Sequence, residues 1–356
     1  MKYKTGQPKG GVIDEVLASD HICGVSGTGL KSYPKLIEKP EDWDKYKSVG
    51  EMQSTGGAGE TNTCTNHALM RIVQKFINYF YQKNLLSSET RKFLDDNGYI
   101  VDEICNLSES FSAVMSGTNP QVGNSLTQVC WSLNNDGCVP ESKHIDDFTN
   151  DTTFWRYPSA EMRKLGKDFT KHFKLDFAWL FSGRTEYHEF MYNGLRDHLL
   201  EGQIYAAIPV CQPWNQSVVI YNGRTQSDHA VDIVNRLNPN ISINDSYIPF
   251  EKELTNFYLI NAAMKVVLNP LKPIIKFDIV SESKKFLTEK PLGLGWSVPE
   301  FGGYCTDVLK YTLNQEEIKT YMLIRENFSI SQMTAEKPEW QEWIEKLKSF
   351  VINLTK

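Results

Sequence analysis

The sequence lacks three patterns that would place it in common protein classes. Its seven cysteines include no C-x-x-C pair, which disfavours a structural zinc site. It has no apolar run long enough to span a bilayer, and the residues after Met1 lack the apolar core of a signal peptide. It has no extended basic cluster, and a net charge of −6 argues against a nucleic-acid-binding surface.

These absences set the first expectations. Without an export signal we expect the scattered cysteines to be reduced, in a protein that stays in a cytoplasm rather than being secreted. We predict no bound cofactor, no metal site, no nucleic-acid partner and no membrane span.

The remaining composition is that of an ordinary globular protein, with 40% apolar and 23% charged residues over 356 positions. Helical spacing dominates the first half, and strand-like segments follow from about residue 200, which predicts an α+β fold. We divide the chain into an N-terminal extension at 1–50, a main domain at 51–260 and a C-terminal accessory region at 261–356.

Two strand-forming segments matter for the argument. The segment from Asp228 to Val234 alternates so that His229, Val231 and Ile233 share one face of a predicted strand. Val218–Tyr221 is followed by Asn222-Gly223, the pair that tight primed turns prefer, and this predicts a β-hairpin.

The stretch around Cys64 is the most informative. Apolar residues recur every three or four positions after it, which predicts a helix that begins at Cys64: Ala68, Leu69, Ile72, Val73, Phe76, Ile77 and Phe80. Thr61, Asn62 and Thr63 are candidate caps, and Gly56–Gly59 allows a tight turn. The N-terminus of a helix favours a thiolate. The simpler alternative is a small buried cysteine in a core helix.

A thiolate that attacks a carbonyl needs a base, a group that orients the base, and donors for the developing oxyanion. Among seven histidines, His229 is best placed, at the start of a strand and among small residues. His67 lies one helical turn after Cys64 and cannot easily reach the tip of the helix. Asp245 is the candidate for the orienting group, with Asn244 beside it as an alternative.

The order Gln53, Cys64, His229, Asp245 resembles that of the papain family of cysteine peptidases, and Asp228-His229-Ala230-Val231 resembles the family's histidine motif. The resemblance implies a two-lobed α+β fold, with a helical N-terminal lobe and an antiparallel β C-terminal lobe. It further implies that Cys64 is the nucleophile, His229 the general base and acid, and Asp245 the orienting group. Gln53, with the Cys64 backbone N–H, would bind the oxyanion.

The sequence departs from the family at several points. Thr63 and Thr65 flank Cys64 in place of the family's usual neighbours, and Asp245 stands where the family has asparagine. An aspartate can orient an imidazole as an amide does, so the chemistry is compatible with this change.

A Gly-rich loop before Cys64, together with the segment Asp245-Ser246-Tyr247-Ile248-Pro249-Phe250 after the predicted histidine strand, is similar to papain-like proteins of tailed bacteriophages. The similarity implies a protein or peptide substrate, other virion proteins as partners, and a location in the cytoplasm of a bacterial host or in a virion. Two alternatives stay open: a catalytically silent, papain-shaped part of a virion, and a transglutaminase-like acyltransferase, because transglutaminases share the Cys, His, Asp order.

Overall fold

The computed structural model describes residues 11–12, 33–53, 60–146, 151–186, 189–236, 240–255, 257–271, 283–284, 286–287, 301–302 and 318–325. The chain forms two compact units, Met1–Pro273 and Ile274–Lys356. In the second unit, the described aromatic rings of Phe286, Phe301 and Tyr321 pack together, and the centroids of Phe301 and Tyr321 stack 4.0 Å apart. The divisions predicted at residues 50 and 260 stay predictions.

The first unit begins mainly helical and continues mainly as strands, so the predicted α+β class is confirmed. The helices are α1 (Cys64–Gln82), α2 (Ser88–Asn97), α3 (Glu109–Met115), α4 (Leu126–Asp136), α5 (Asp151–Phe154), α6 (Ala160–Phe169) and α7 (Glu189–Glu201), with a 3-10 helix over Pro40–Lys45. The strands are β1 (Gly11–Val12), β2 (Ile100–Val101), β3 (Ile104–Cys105), β4 (Asn124–Ser125), β5 (Phe173–Phe181), β6 (Gln203–Ile208), β7 (Val218–Val219), β8 (His229–Arg236), β9 (Ile241–Asn244), β10 (Glu251–Leu254) and β11 (Ala262–Pro270).

Seven of the strands form one sheet in the order β5-β11-β6-β8-β9-β10-β7. Its neighbouring strands are antiparallel except for β10 and β7, which run parallel. The hairpin predicted at Asn222-Gly223 is therefore wrong. Val218 pairs with Glu253 of β10 instead, because this edge of the sheet offers a partner that local turn chemistry cannot reveal.

Serine caps explain where several helices begin. Helices α2, α3, α4 and α6 each follow a serine whose hydroxyl accepts a helix N–H: Ser87, Ser108, Ser125 and Ser159. The Thr63 side chain accepts no such bond at α1, so this predicted cap is wrong. Its hydroxyl instead lies 2.7 Å from that of Thr61, which in turn donates to the backbone oxygen of Gln53 at 2.6 Å.

Helix α1 is buried from Cys64 to Phe80 and packs against β8 and α3. Alternating strand residues divide the core into two clusters on opposite faces of the sheet. In β6, Tyr205 and Ala207 belong to the cluster around α1, whereas Ile204 and Ala206 belong to the other. This arrangement places the beginning of α1 against the beginning of β8.

Within the described residues, no helix has both the length and the apolar character that a membrane-spanning segment requires.

Candidate active site

Three chain segments meet at the beginning of α1. Cys64 is the first residue of that helix, and His229 is the first residue of β8. Asp245 directly follows β9, which pairs antiparallel with β8. Because antiparallel neighbours bring the start of one strand beside the end of the next, His229 and Asp245 come together across the sheet.

His229 and Asp245 form a fully buried pair. His229 Nε2 lies 2.6 Å from Asp245 Oδ1, and the two side chains are completely shielded from solvent. The Asn244 amide donates instead to Asp232, at 3.3 Å. The structure therefore brings Asp245, and not Asn244, to the imidazole.

Several hydrogen bonds fix the position of Asp245. Its Oδ2 accepts hydrogen bonds from Trp214 Nε1 and Lys252 Nζ, each at 2.7 Å. Its Oδ1 also accepts the backbone N–H of Ser246 at 2.7 Å, and Arg71 donates to its backbone oxygen. A carboxylate with this many donors stays charged and fixed.

The charges of the pair stabilise one another. Burial alone would lower the pKa of His229, but the Asp245 carboxylate and then Cys64 raise it to about 10. Burial would raise the pKa of Asp245, but His229 and then Lys252 lower it to about 2. Across neutral pH the pair is therefore an imidazolium and a carboxylate.

Cys64 is the second side chain of the predicted set that interacts with the imidazole. Since Asp245 occupies Nε2, the ring nitrogen left for other partners is the buried Nδ1. The interaction of Cys64 with the ring contributes to the raised pKa of His229. The Cys64 side chain is completely buried. A cavity of about 660 Å³ is lined by Arg71 and Lys252 but by neither Cys64 nor His229.

His67, the competing histidine on α1, is arranged differently. Burial lowers its pKa to about 4, and its Nδ1 lies 3.0 Å from the backbone oxygen of Thr63. It is therefore a neutral side chain that bonds within the first turn of its helix.

Gln53 completes the predicted set. Its side chain is fully buried, with Oε1 accepting from Ser246 Oγ at 2.6 Å and Nε2 donating to Glu60. Its backbone N–H donates to the Ser246 oxygen at 3.1 Å, which ties it to the residue after Asp245. The predicted Gly56–Gly59 turn lies outside the described residues.

Sequence reasoning assigned no role to four residues that shape this site: Glu60, Trp214, Tyr247 and Lys252. The Glu60 carboxylate accepts from Gln53 and from the Tyr247 hydroxyl, and burial raises the pKa of Glu60. Tyr247 follows Asp245 closely, and Glu60 shortly precedes Cys64, so proximity in sequence is a usable signal for both. Trp214 and Lys252 carry no comparable signal, because only the fold brings them to Asp245.

Several carboxylates could hold a cation. Among the described residues, potential ligand atoms of Glu51, Glu109 and Asp146 all lie within 4.8 Å of one another. This group is separate from the Cys64 site and is considered below.

The buried pair predicts a pH dependence of folding stability. The pKa of His229, about 10, lies above its ordinary value of 6.5, so its stabilisation is complete below pH 6.5 and is lost as the pH rises toward 10. The pKa of Asp245, about 2, lies below its ordinary 3.8, so its stabilisation is present above pH 3.8 and is lost as the pH falls toward 2. We expect His229→Gln to remove much of the stability loss between pH 6.5 and 10, as measured by urea unfolding at several pH values. Parallel curves for wild type and variant would contradict the pairing.

No protein-family model matches the chain, and no curated protein matches it. Solved structures of cysteine proteases do match. Xylellain from Xylella fastidiosa aligns at 13% identity over 76% of this chain and 99% of its own, with a TM-score of 0.48. The Carica candamarcensis protease CMS1MS2 aligns at 14% identity over 65% of this chain and 96% of its own, with a TM-score of 0.40. The proform of the ragweed pollen protease Amb a 11 aligns at 13% identity over 66% of this chain and 68% of its own, with a TM-score of 0.41. At these identities the likeness is one of fold alone.

Proposed function

We propose that this protein is a papain-like cysteine peptidase that hydrolyses amide bonds in a protein or peptide substrate. The observation that carries the proposal is the position of His229, bonded through Nε2 to Asp245 while Cys64 interacts with the same ring. A thiol, an imidazole and a carboxylate in series are the components of nucleophilic acyl transfer.

In the proposed reaction, His229 holds the proton of Cys64, and the thiolate attacks the carbonyl carbon of the scissile bond. The C=O electron pair moves to oxygen, and the Cys64 backbone N–H and the Gln53 amide stabilise the oxyanion. Collapse breaks the C–N bond, and the imidazolium of His229 gives its proton to the leaving amine. Neutral His229 then takes a proton from the water that attacks the thioester carbonyl. The C–S bond breaks, which releases the carboxylic acid and restores the Cys64 thiolate beside the His229 imidazolium.

Glu60 sets the position of the oxyanion donor. Gln53 Nε2 carries two N–H groups, and Glu60 accepts one, which leaves the other for the oxyanion. An ionised Glu60 would oppose negative charge on the substrate oxygen, whereas a protonated Glu60 would not. Burial raises the pKa of Glu60 and so favours the neutral form, although the hydrogen bonds from Tyr247 and Gln53 work against this.

The complete burial of Cys64 favours a second candidate function. A substrate carbonyl can reach this sulfur only after the residues that cover it move. A catalytically silent structural protein of the same architecture, such as a component of a phage virion, would have no need for that movement. The two candidates differ in one measurable property, which is turnover.

The test is hydrolysis of a quenched-fluorescent peptide library by the full chain, with products identified by mass spectrometry. We expect cleavage by the wild type, loss of cleavage to background in Cys64→Ala, and unchanged cleavage in Cys105→Ala. Cys105 is a fair control because it is equally buried and burial raises its thiol pKa. Absence of turnover in the wild type would favour the structural role, and incorporation of an added primary amine in place of water would indicate an acyltransferase.

A further inference from the structure

Three carboxyl groups, two of them buried, form a cluster that shares no residue with the Cys64–His229–Asp245 set. Glu109 is the first residue of α3. Glu51 lies in the segment that leads to Gln53, and Asp146 lies in a loop. Glu109 is fully buried and Asp146 is 7% exposed, yet ligand atoms of the three lie within 4.8 Å of one another. Like charges held this close in a protein interior require compensation.

Hydrogen bonds do not supply that compensation for Glu109. Neither of its carboxylate oxygens receives a hydrogen bond from an N–H or hydroxyl group among the described residues, and Glu51 Oε2 receives none either. The neighbours of Glu109 in this cluster are the carboxyl groups of Glu51 and Asp146. Asp146, in contrast, is fixed by Ser108 Oγ at 2.7 Å and by the backbone N–H groups of Glu109 at 2.7 Å and Ser110 at 3.1 Å. A rigid carboxylate thus faces a buried carboxylate whose oxygens are left without donors.

The positive charge of the neighbouring Arg71 does not neutralise these carboxyl groups. Arg71 interacts electrostatically with Glu51 and Glu109, but it directs its hydrogen bonds to the backbone oxygens of Glu51, at 3.1 Å, and Asp245. Glu141 adds a fourth, half-buried carboxyl that interacts with Glu51 and Asp146. Arg71 therefore interacts with two of the four carboxyl groups and also with Asp245 and Asp232 outside the cluster.

We propose that Glu51, Glu109 and Asp146 bind a calcium ion. Calcium takes six to eight oxygen ligands at about 2.3–2.6 Å, and carboxylates, carbonyl groups and water supply them. Two ligands on opposite sides of a calcium ion, each about 2.4 Å from it, are about 4.8 Å apart. Oxygens that all lie within 4.8 Å of one another are therefore close enough to contact one ion. Magnesium is less suitable because it retains several water molecules, whereas two of these carboxyl groups are buried.

The proposed ion would connect three distant segments of the first unit. Glu51 lies two residues before Gln53, so the ion would fasten the segment that carries Gln53 to the start of α3. Sequence spacing does not predict this site, because its members are far apart in the chain. The proposal does not depend on peptidase activity, and its test uses no activity measurement.

The competing explanation is that the carboxyl groups share protons. Burial, followed by the neighbouring carboxylates, raises the pKa of Glu109, and burial raises that of Glu51 to about 7. Calcium would displace such protons, so binding would release them into solution. Titration in two buffers with different ionisation enthalpies measures this release directly.

The test is calcium titration of the chelator-treated full chain by calorimetry, with thermal unfolding alongside. We expect one calcium per chain, proton release, and a Tm increase of about 3–6 °C at a hundredfold excess over Kd. Glu109→Gln is expected to weaken binding at least about 100-fold while raising the Tm without calcium, because one of the facing charges is removed. The matched control is Glu103→Gln, which removes an exposed carboxylate. Its calcium affinity should equal that of the wild type.

Two results would overturn the proposal. One is the absence of heat and of any Tm change in the wild type at about 5 mM calcium, above the weakest dissociation constants of natural calcium modules. The other is equal calcium binding by wild type and Glu109→Gln. Magnesium binding as tight as calcium would overturn the choice of ion.

Discussion

Replacing His229 with glutamine is expected to lower kcat/KM by about 10²–10⁴-fold, the range associated with loss of a general acid and base. Glutamine can still hydrogen-bond to Asp245, which also keeps its bonds from Trp214 and Lys252. The carboxylate therefore remains paired, and the protein should fold. What is lost is a group that can hold and return the proton of Cys64.

The matched control for this variant is His67→Gln. His67 is also a buried histidine near Cys64, but it is neutral and bonds to Thr63 within its own helix. We expect kcat/KM of this variant to stay within a few-fold of wild type. Equal losses in the two variants, measured on the same peptide, would show that the effect is structural and would contradict the role of His229.

Replacing Lys75 with methionine is expected to lower the free energy of unfolding by about 3–5 kcal/mol, the cost of leaving a buried charge without its partner. Lys75 of α1 is bonded to Asp232 of β8, with the two side chains 3% and 0% exposed. The Asn244 amide, also bonded to Asp232, cannot neutralise its charge. The measurement is the midpoint and slope of urea unfolding.

Two further variants make the Lys75 result interpretable. Lys92→Met removes a lysine from an exposed pair with Asp96, where the two side chains are 75% and 57% exposed, and should change stability by less than about 0.5 kcal/mol. Adding Asp232→Asn to Lys75→Met should recover most of the loss, because the carboxylate left without its lysine partner is then removed as well. A loss in Lys75→Met no larger than that in Lys92→Met would contradict the buried pairing of α1 with β8.

The helix beginning at Cys64 could be predicted because its apolar spacing continues for several turns. The strand containing His229 could be predicted for a similar reason, since its alternation reflects a sheet with core on either face. These signals are local and strong. The strand at Val218 was predicted, but its pairing was not, because its partner in β10 is remote in sequence.

The environment of the imidazole could be predicted only in part. The order of residues indicates that either Asp245 or Asn244 orients His229. Adjacent side chains point in different directions, so only one of the two can reach the ring, and the pairing of β8 with β9 decides which. The same limit applies to Lys252 and Trp214. Their bonds to Asp245 depend on tertiary packing, which leaves no pattern in a single sequence.

The central claim is that the Cys64 sulfur acts together with His229 and is reached in the folded protein. The direct measurement is the rate of Cys64 alkylation by iodoacetamide in the native full chain, followed by mass spectrometry of the Cys64 and Cys105 peptides. The proposed site predicts that Cys64 reacts before Cys105, and that the Cys64 rate falls at least about tenfold in His229→Gln but not in His67→Gln. Alkylation of Cys64 only on unfolding, at the same rate as Cys105, would contradict it.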